Sequence, residues 1–157
     1  MATSYGYGGD TQFTRGMLIP LDGDADVVTF QWNPKSVIID KEIKWQHLKV
    51  AGREQPYQQY GCGEPRKIIL PFTISNYNNG SDFVMTVQTA ILKYTKPTAG
   101  GTVKRPPLAQ LILGSYLNVT CFVRSCKFQS EEFFSPQTLY PSSCEALLTL
   151  EEVLVED

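Results

Sequence analysis

Lys67-Ile68-Ile69-Leu70-Pro71-Phe72-Thr73-Ile74 is the stretch on which the fold turns. Ile68, Leu70, Phe72 and Ile74 fall on one side of an extended chain and Lys67, Ile69, Pro71 and Thr73 on the other, the period of two that marks a strand with one buried face. Pro71 has no N–H to give to a ladder, so the strand belongs at a sheet edge or a bulge. An edge leaves backbone groups unpaired, which the chain itself or another subunit must cover. The same alternation returns in 144–155. There Cys144, Ala146, Leu148 and Leu150 share one face and Glu145, Thr149 and Glu151 the other, with Leu147 the apolar exception on the polar side.

Working outward, residues 108–113 and 117–128 also read as strands, broken by Gly114-Ser115 and, later, by 135–143. Residues 17–21 and 27–32 form a hairpin pattern around Asp22-Gly23-Asp24-Ala25-Asp26, a run of turn formers. Residues 36–50 are extended, because their β-branched content outweighs a mixed period. One helix is expected over 81–95. Ser81 is suited to cap it, Asp82 favours its positive end, Phe83, Val84, Val87, Ala90, Ile91 and Tyr94 recur at three-and-four spacing, and Pro97 stops it. Residues 51–65, with Gly52, Pro56, Gly61, Gly63 and Pro65, and residues 97–107 read as long connections.

Residues 1–16, with Tyr5 and Tyr7 among glycines, read as a flexible arm whose tyrosines can dock on a neighbour. The remaining 17–157 form one domain of about seven strands and one main helix, a β-rich α+β class.

The 157 residues are 42% hydrophobic and 19% charged, which suits one domain with a core of its own. Fourteen Lys plus Arg against sixteen Asp plus Glu, without a block of like charge, argue against a phosphate-backbone binder. No run approaches the roughly 20 apolar residues of a membrane helix, and the N-terminus lacks the apolar core of a secretory signal. Synthesis and assembly in a cytoplasm is therefore expected. Cys62, Cys121, Cys126 and Cys144 are too sparse for a disulfide scaffold and are expected to be reduced, mostly buried thiols.

Catalytic motifs are missing from this picture. His47 is the single histidine, with no G-x-S-x-G elbow or H-E-x-x-H around it. Zinc finds no C-x-x-C pair. The Asp22 to Asp26 run resembles the start of a calcium loop, but Val27 stands where the glycine belongs and Asn33 where the bidentate glutamate belongs. The expectation is no catalytic, cofactor or metal residue, and an assembly subunit with sticky surfaces.

The order of short signatures resembles the tube-domain family of contractile injection systems, which includes small baseplate hub proteins of contractile-tailed phages. Phe30-Gln31-Trp32-Asn33-Pro34 is similar to the family's opening strand and Asn-Pro turn, followed by Trp45. Gly61 to Pro65 leads into the 68–74 strand, then the helix, then Arg105-Pro106-Pro107 before the strand ending at Gly114. Residues 144–152 are similar to the closing strand with its terminal acid.

The resemblance covers nearly the whole chain, from 17 to 152. It implies a tube-like β-barrel or sandwich that forms a homo-oligomeric ring, usually a hexamer, between the tail tube and the spike hub. That places it in the virion tail or baseplate, assembled in the bacterial host cytoplasm, with the tail tube protein and other baseplate proteins as partners. No LysM module, such as many members carry, is contained in the chain. Candidate interface or structural residues are Tyr5, Tyr7, Trp32, Asn33, Pro34, Pro71, Arg105, Pro106 and Pro107. The asparagine and prolines also have a purely structural reading, as turn and stiff approach segments.

Three other readings compete. The chain could be the repeated tail tube protein, a β-sandwich module binding a glycan or peptide, or an enzyme using His47 and a carboxylate.

Overall fold

A computed structural model describes residues 5–6, 12–13, 15–77, 79–98, 105–133 and 139–154, with the backbone alone at 5–6, 12–13 and 132–133. In chain order the strands are β1 (Tyr5–Gly6), β2 (Gln12–Phe13), β3 (Met17–Pro20), β4 (Val28–Thr29), β5 (Ile38–Asp40), β6 (Ile43–Leu48), β7 (Tyr57–Gly63) and β8 (Lys67–Ser75). After the helix α1 (Phe83–Lys93) come β9 (Ala109–Leu113), β10 (Leu117–Phe133) and β11 (Pro141–Glu152). Seven of these form one curled antiparallel sheet, a half-barrel, in the order β4-β3-β9-β10-β11-β8-β5. Two further ladders, β1-β2 and β6-β7, stand apart from it.

Burial follows the alternation that defined the strands. Ile68, Leu70, Phe72 and Ile74 of β8 meet Cys144, Ala146, Leu148 and Leu150 of β11 in one core, which α1 covers with Val84 and Ile91 and, at its C-cap, Tyr94. Phe30 packs its ring against Phe72 at 4.9 Å. The Tyr94 side chain is fully buried, and its hydroxyl donates to the Asp26 carbonyl oxygen at 2.5 Å while lying 3.1 Å from that of Leu18. Burial raises the pKa of this phenol well above its ordinary value.

A bulge at Arg124, between Val123 and Ser125, changes the phase of β10. Leu117, Val119, Cys121 and Val123 face the core before it, whereas Cys126 and Phe128 do so after it.

Several expectations are corrected. Residues 51–65 are not one irregular loop: β7 pairs with β6 from Leu48↔Tyr57 to Ile43↔Gly63, leaving only the connection 49–56 between them. Gly61 is the extra residue at a bulge in this ladder, where a Cβ would come within 3.0 Å of the Lys44 carbonyl oxygen. Ser81 does not cap the helix. Asp82 holds the cap position without a side-chain cap bond, and its carbonyl oxygen accepts from the Thr86 N–H and hydroxyl.

Ser142 and Ser143 lie inside β11 rather than in a break, and β10 runs on to Phe133. Gly16 belongs to the body, since its N–H donates to Asn33 Oδ1 and its carbonyl oxygen accepts from the Phe30 N–H. Tyr5 lies in the short β1 ladder, while Tyr7 and residues 99–104 of the second long connection fall outside the described residues.

Candidate assembly surfaces

The Phe30 to Pro34 run does three jobs at successive positions. Phe30 is buried, Gln31 Oε1 accepts from the Ser75 N–H at 2.8 Å, and Asn33 Oδ1 accepts from the Gly16 N–H at 2.8 Å. Trp32, between the two anchoring amides, is left 46% exposed. Pro34 carries the chain on towards β5.

Gln31 acts where β8 has no neighbour. β5 pairs with β8 only through Ile38↔Ile69, Ile39↔Ile68 and Asp40↔Lys67. Beyond Ile69, β8 is a border of the described sheet. The Ser75 N–H points across that border and Asn76 bonds on the β11 side, so by the period of two the backbone groups of Thr73 and Pro71 point outward with Ser75. Pro71 thus loses its N–H at a place where no ladder bond is made, on an unpaired stretch of a strand that otherwise lies between β11 and β5 rather than at the sheet edge.

A second open border lies on β10. Its ladder with β9 spans only Leu117↔Leu113 to Cys121↔Ala109, while its ladder with β11 continues to Phe133↔Pro141. Among the described residues, no strand pairs residues 122–133 on the side away from β11. Besides the outer edges of β4 and β5, the described sheet therefore has an unpaired stretch on β8 and another on β10, separated by β11.

The face of these strands away from α1 is polar, with Thr73, Lys127, Gln129, Glu145 and Thr149 alternating with the core set. Set into it is a groove of about 590 Å³ beside Trp32, Pro71 and Leu147, with Lys35, Lys127 and Glu145 around it. Leu147, the exception noted in the sequence, is 39% exposed here.

The third surface is the β6-β7 hairpin, all of whose residues are exposed. Trp45 and Tyr60 pair edge to face at 5.7 Å, and the Arg53 guanidinium lies 4.0 Å from the centre of the Tyr57 ring. Cys62 is exposed on this hairpin, unlike the buried Cys121 and Cys144 and the half-buried Cys126. Burial pushes the Cys121 thiol up to about 12. His47 faces Gln58 across the exposed ladder.

The remaining motif residues fasten loops. Arg105 Nη2 donates to Asp22 Oδ2 at 2.8 Å, Asp22 Oδ1 accepts from the Leu108 N–H at 2.8 Å, and Pro107 is fully buried behind the half-buried Pro106. The Arg105 guanidinium, against a smaller opposing effect of burial, holds Asp22 below its ordinary pKa. Asp26 pairs with Lys93 at 3.0 Å. The acidic run is thus tied into the loop on both sides, and no cluster of metal-ligating side chains occurs among the described residues.

At the start of β8, Arg66 holds Glu152 through two bonds, Nε to Oε2 at 2.6 Å and Nη2 to Oε1 at 2.7 Å. This pairing lowers the Glu152 pKa, opposed by burial, and raises that of Arg66. No described helix is long and apolar enough to cross a membrane. Compared with models of protein families and with curated proteins, the chain matches none.

Proposed function

We propose that the chain is a structural ring subunit, a baseplate hub or adaptor of a contractile phage tail or related injection system, joining the tail tube to the spike hub and continuing its channel. The observation that carries this reading is the unpaired stretch of β10. The β10 border leaves backbone unpaired over 122–133, whereas on β8 Pro71 and the Gln31 bond to the Ser75 N–H blunt the border; the β10 stretch gains ladder bonds by joining the next copy, and a head-to-tail contact whose rotation closes makes a ring. The polar face of β8, β11 and β10 then suits a wetted inner wall. No catalytic step is assigned, and the ring acts through shape and symmetry.

A repeated tail tube protein would use the same borders and is separated by copy number per particle. The groove beside the exposed Trp32 favours a second class of reading, a module that binds a peptide or glycan. Electron microscopy of intact particles with antibody labelling tests all three. Label confined to the baseplate end is expected; label along the tail makes the chain the tube. No label on intact or partly disassembled particles overturns the assembly reading and promotes the binding module.

A further inference from the structure

Two stretches of backbone on opposite sides of the sheet have no ladder partner among the described residues: 122–133 on the far side of β10, and the outer side of β5. Which groups they present follows from one bond. The Asn76 N–H donates to the Ser142 carbonyl oxygen across β8 and β11. By the period of two, Ile74, Phe72, Leu70 and Ile68 then bond to β11, while Ile69 and Lys67 turn to β5. Ile38 and Asp40 face those two, so the N–H and carbonyl of Ile39 point away from the sheet. The same count across β11 turns Lys127 and Gln129 towards β11 and leaves Val123, Cys126 and Phe128 pointing out of the opposite side.

These two edges fit each other in direction, face and level. The strands β10, β11, β8 and β5 alternate in direction, so a sheet carried on by rotation brings β5 of one copy antiparallel to β10 of the next. Residues that exchange bonds in an antiparallel ladder show their side chains on one face. Ile39 stands opposite Ile68 on the core face, and Val123, Cys126 and Phe128 turn to the core as well. Ile39, Ile68, Leu150 and Val123 also form one row across the sheet, and Ile39 is left 38% exposed at its end.

The other edges serve less well. On β8, Pro71 has no N–H, Gln31 holds that of Ser75, and the strand runs the same way as β10. β4 has two residues and runs the same way as β5. Before Phe122 the β10 edge is already taken by β9, so an added strand can slide only towards Phe133.

From this geometry we propose that β5 of one copy adds to β10 of a second copy as an antiparallel strand. Ile39 exchanges its bonds with Val123, Cys126 or Phe128, according to the tilt of the closed sheet. The inference rests on the ring reading and names the strands that meet at its joint. Two different edges make the contact heterologous, as a ring requires.

The test uses the full chain carrying Cys62→Ser and Cys126→Ser. Ile38→Cys, exposed on β5, is placed in one preparation, and Ser125→Cys, Lys127→Cys or Gln129→Cys, one for each register, in another. A mild oxidant is added to each alone and to the mixtures, while native mass measurement follows assembly. A disulfide-linked heterodimer formed only in a mixture, and with one of the three, is expected. Ile39→Pro in the first preparation removes an N–H that β8 does not use, so it is expected to cut that product at least tenfold while the dilute chain keeps its thermal midpoint. Thr73→Cys in place of Ile38→Cys is expected to give none, and a product there moves the joint to β8 and overturns the pairing. Closed rings without the Ile38→Cys disulfide overturn the pairing and leave the ring reading standing. The disulfide without closed rings keeps the pairing and sinks the ring. A chain that stays monomeric and unlinked at millimolar concentration overturns both.

Discussion

β7 and β8 are neighbours in sequence, separated by three residues, yet they are opposite kinds of strand. β8 alternates buried and exposed side chains against β11 and the core, whereas every residue of β7 is exposed and pairs only with β6. The first is held by what its own chain buries. The second is a ribbon whose apolar side chains meet no core among the described residues, Trp45 and Tyr60 packing on each other and Tyr57 on Arg53. On the ring reading proposed above, the first is the part that folds and the second the part offered to a neighbour.

The largest expected effect comes from cutting into the first kind. Phe72→Ala removes a nearly buried ring packed on Phe30 and is expected to cost about 3–5 kcal/mol in chemical denaturation. A loss under about 1 kcal/mol would mean that the core is not built around this strand.

Next in size is the Arg66–Glu152 clamp at the base of β8. The folded-state pKa of Glu152 is depressed from the ordinary 4.5, so the clamp's stabilisation is present above about that pH and is lost as pH falls through the lowered folded value. Glu152→Gln is expected to cost about 1–2 kcal/mol at pH 7, discounted for partial exposure, and to flatten the acid limb of the stability curve. An unchanged acid limb would contradict the assignment.

Trp45→Ala sharpens the contrast. It removes one aromatic pair from the ribbon and is expected to cost the isolated chain about 1 kcal/mol or less. Its effect on assembly, read by native mass, should be much greater than its effect on the thermal midpoint. The smallest change is expected for Lys93→Ala, which breaks an exposed ion pair with Asp26 and should shift stability by less than about 0.5 kcal/mol. A loss comparable to that of Phe72→Ala would erase the distinction between the core and its surface loops.

The strands that bury one face were legible because water sorts their side chains: 67–74 and 144–152 announced themselves by alternation, while the 17–32 hairpin was read from the turn formers of 22–26. The helix was legible through its three-and-four spacing. The β6-β7 ribbon was only half legible. Its first strand was read from β-branched residues, but its second, Tyr57-Gln58-Gln59-Tyr60-Gly61-Cys62-Gly63, has no alternation to offer because neither face meets a core. Two glycines and a nearby proline then read as a loop.

Pro71 pointed to an edge for a reason internal to its own backbone, and the stretch it marks is unpaired, although the strand lies between β11 and β5. The open side of β10 gave no such sign, since nothing in 122–133 declares which neighbour stops short. The Arg124 bulge, which turns Cys126 and Phe128 to the core after Val123, went unread in a stretch taken as one uninterrupted strand. The roles of Gln31 and Asn33 as backbone acceptors depend on residues 44 and 17 positions away, beyond any local pattern.

Hydrogen exchange followed peptide by peptide, in the dilute chain and in its assembled form, tests the account most directly. The account predicts that the amides bonded in the β8-β11 and β10-β11 ladders are slow in both states, while 43–63 and the amides of 122–133 that point away from β11 exchange fast in the dilute chain and become protected on assembly. Protection of 43–63 and of those outward amides that is the same in both states would contradict it.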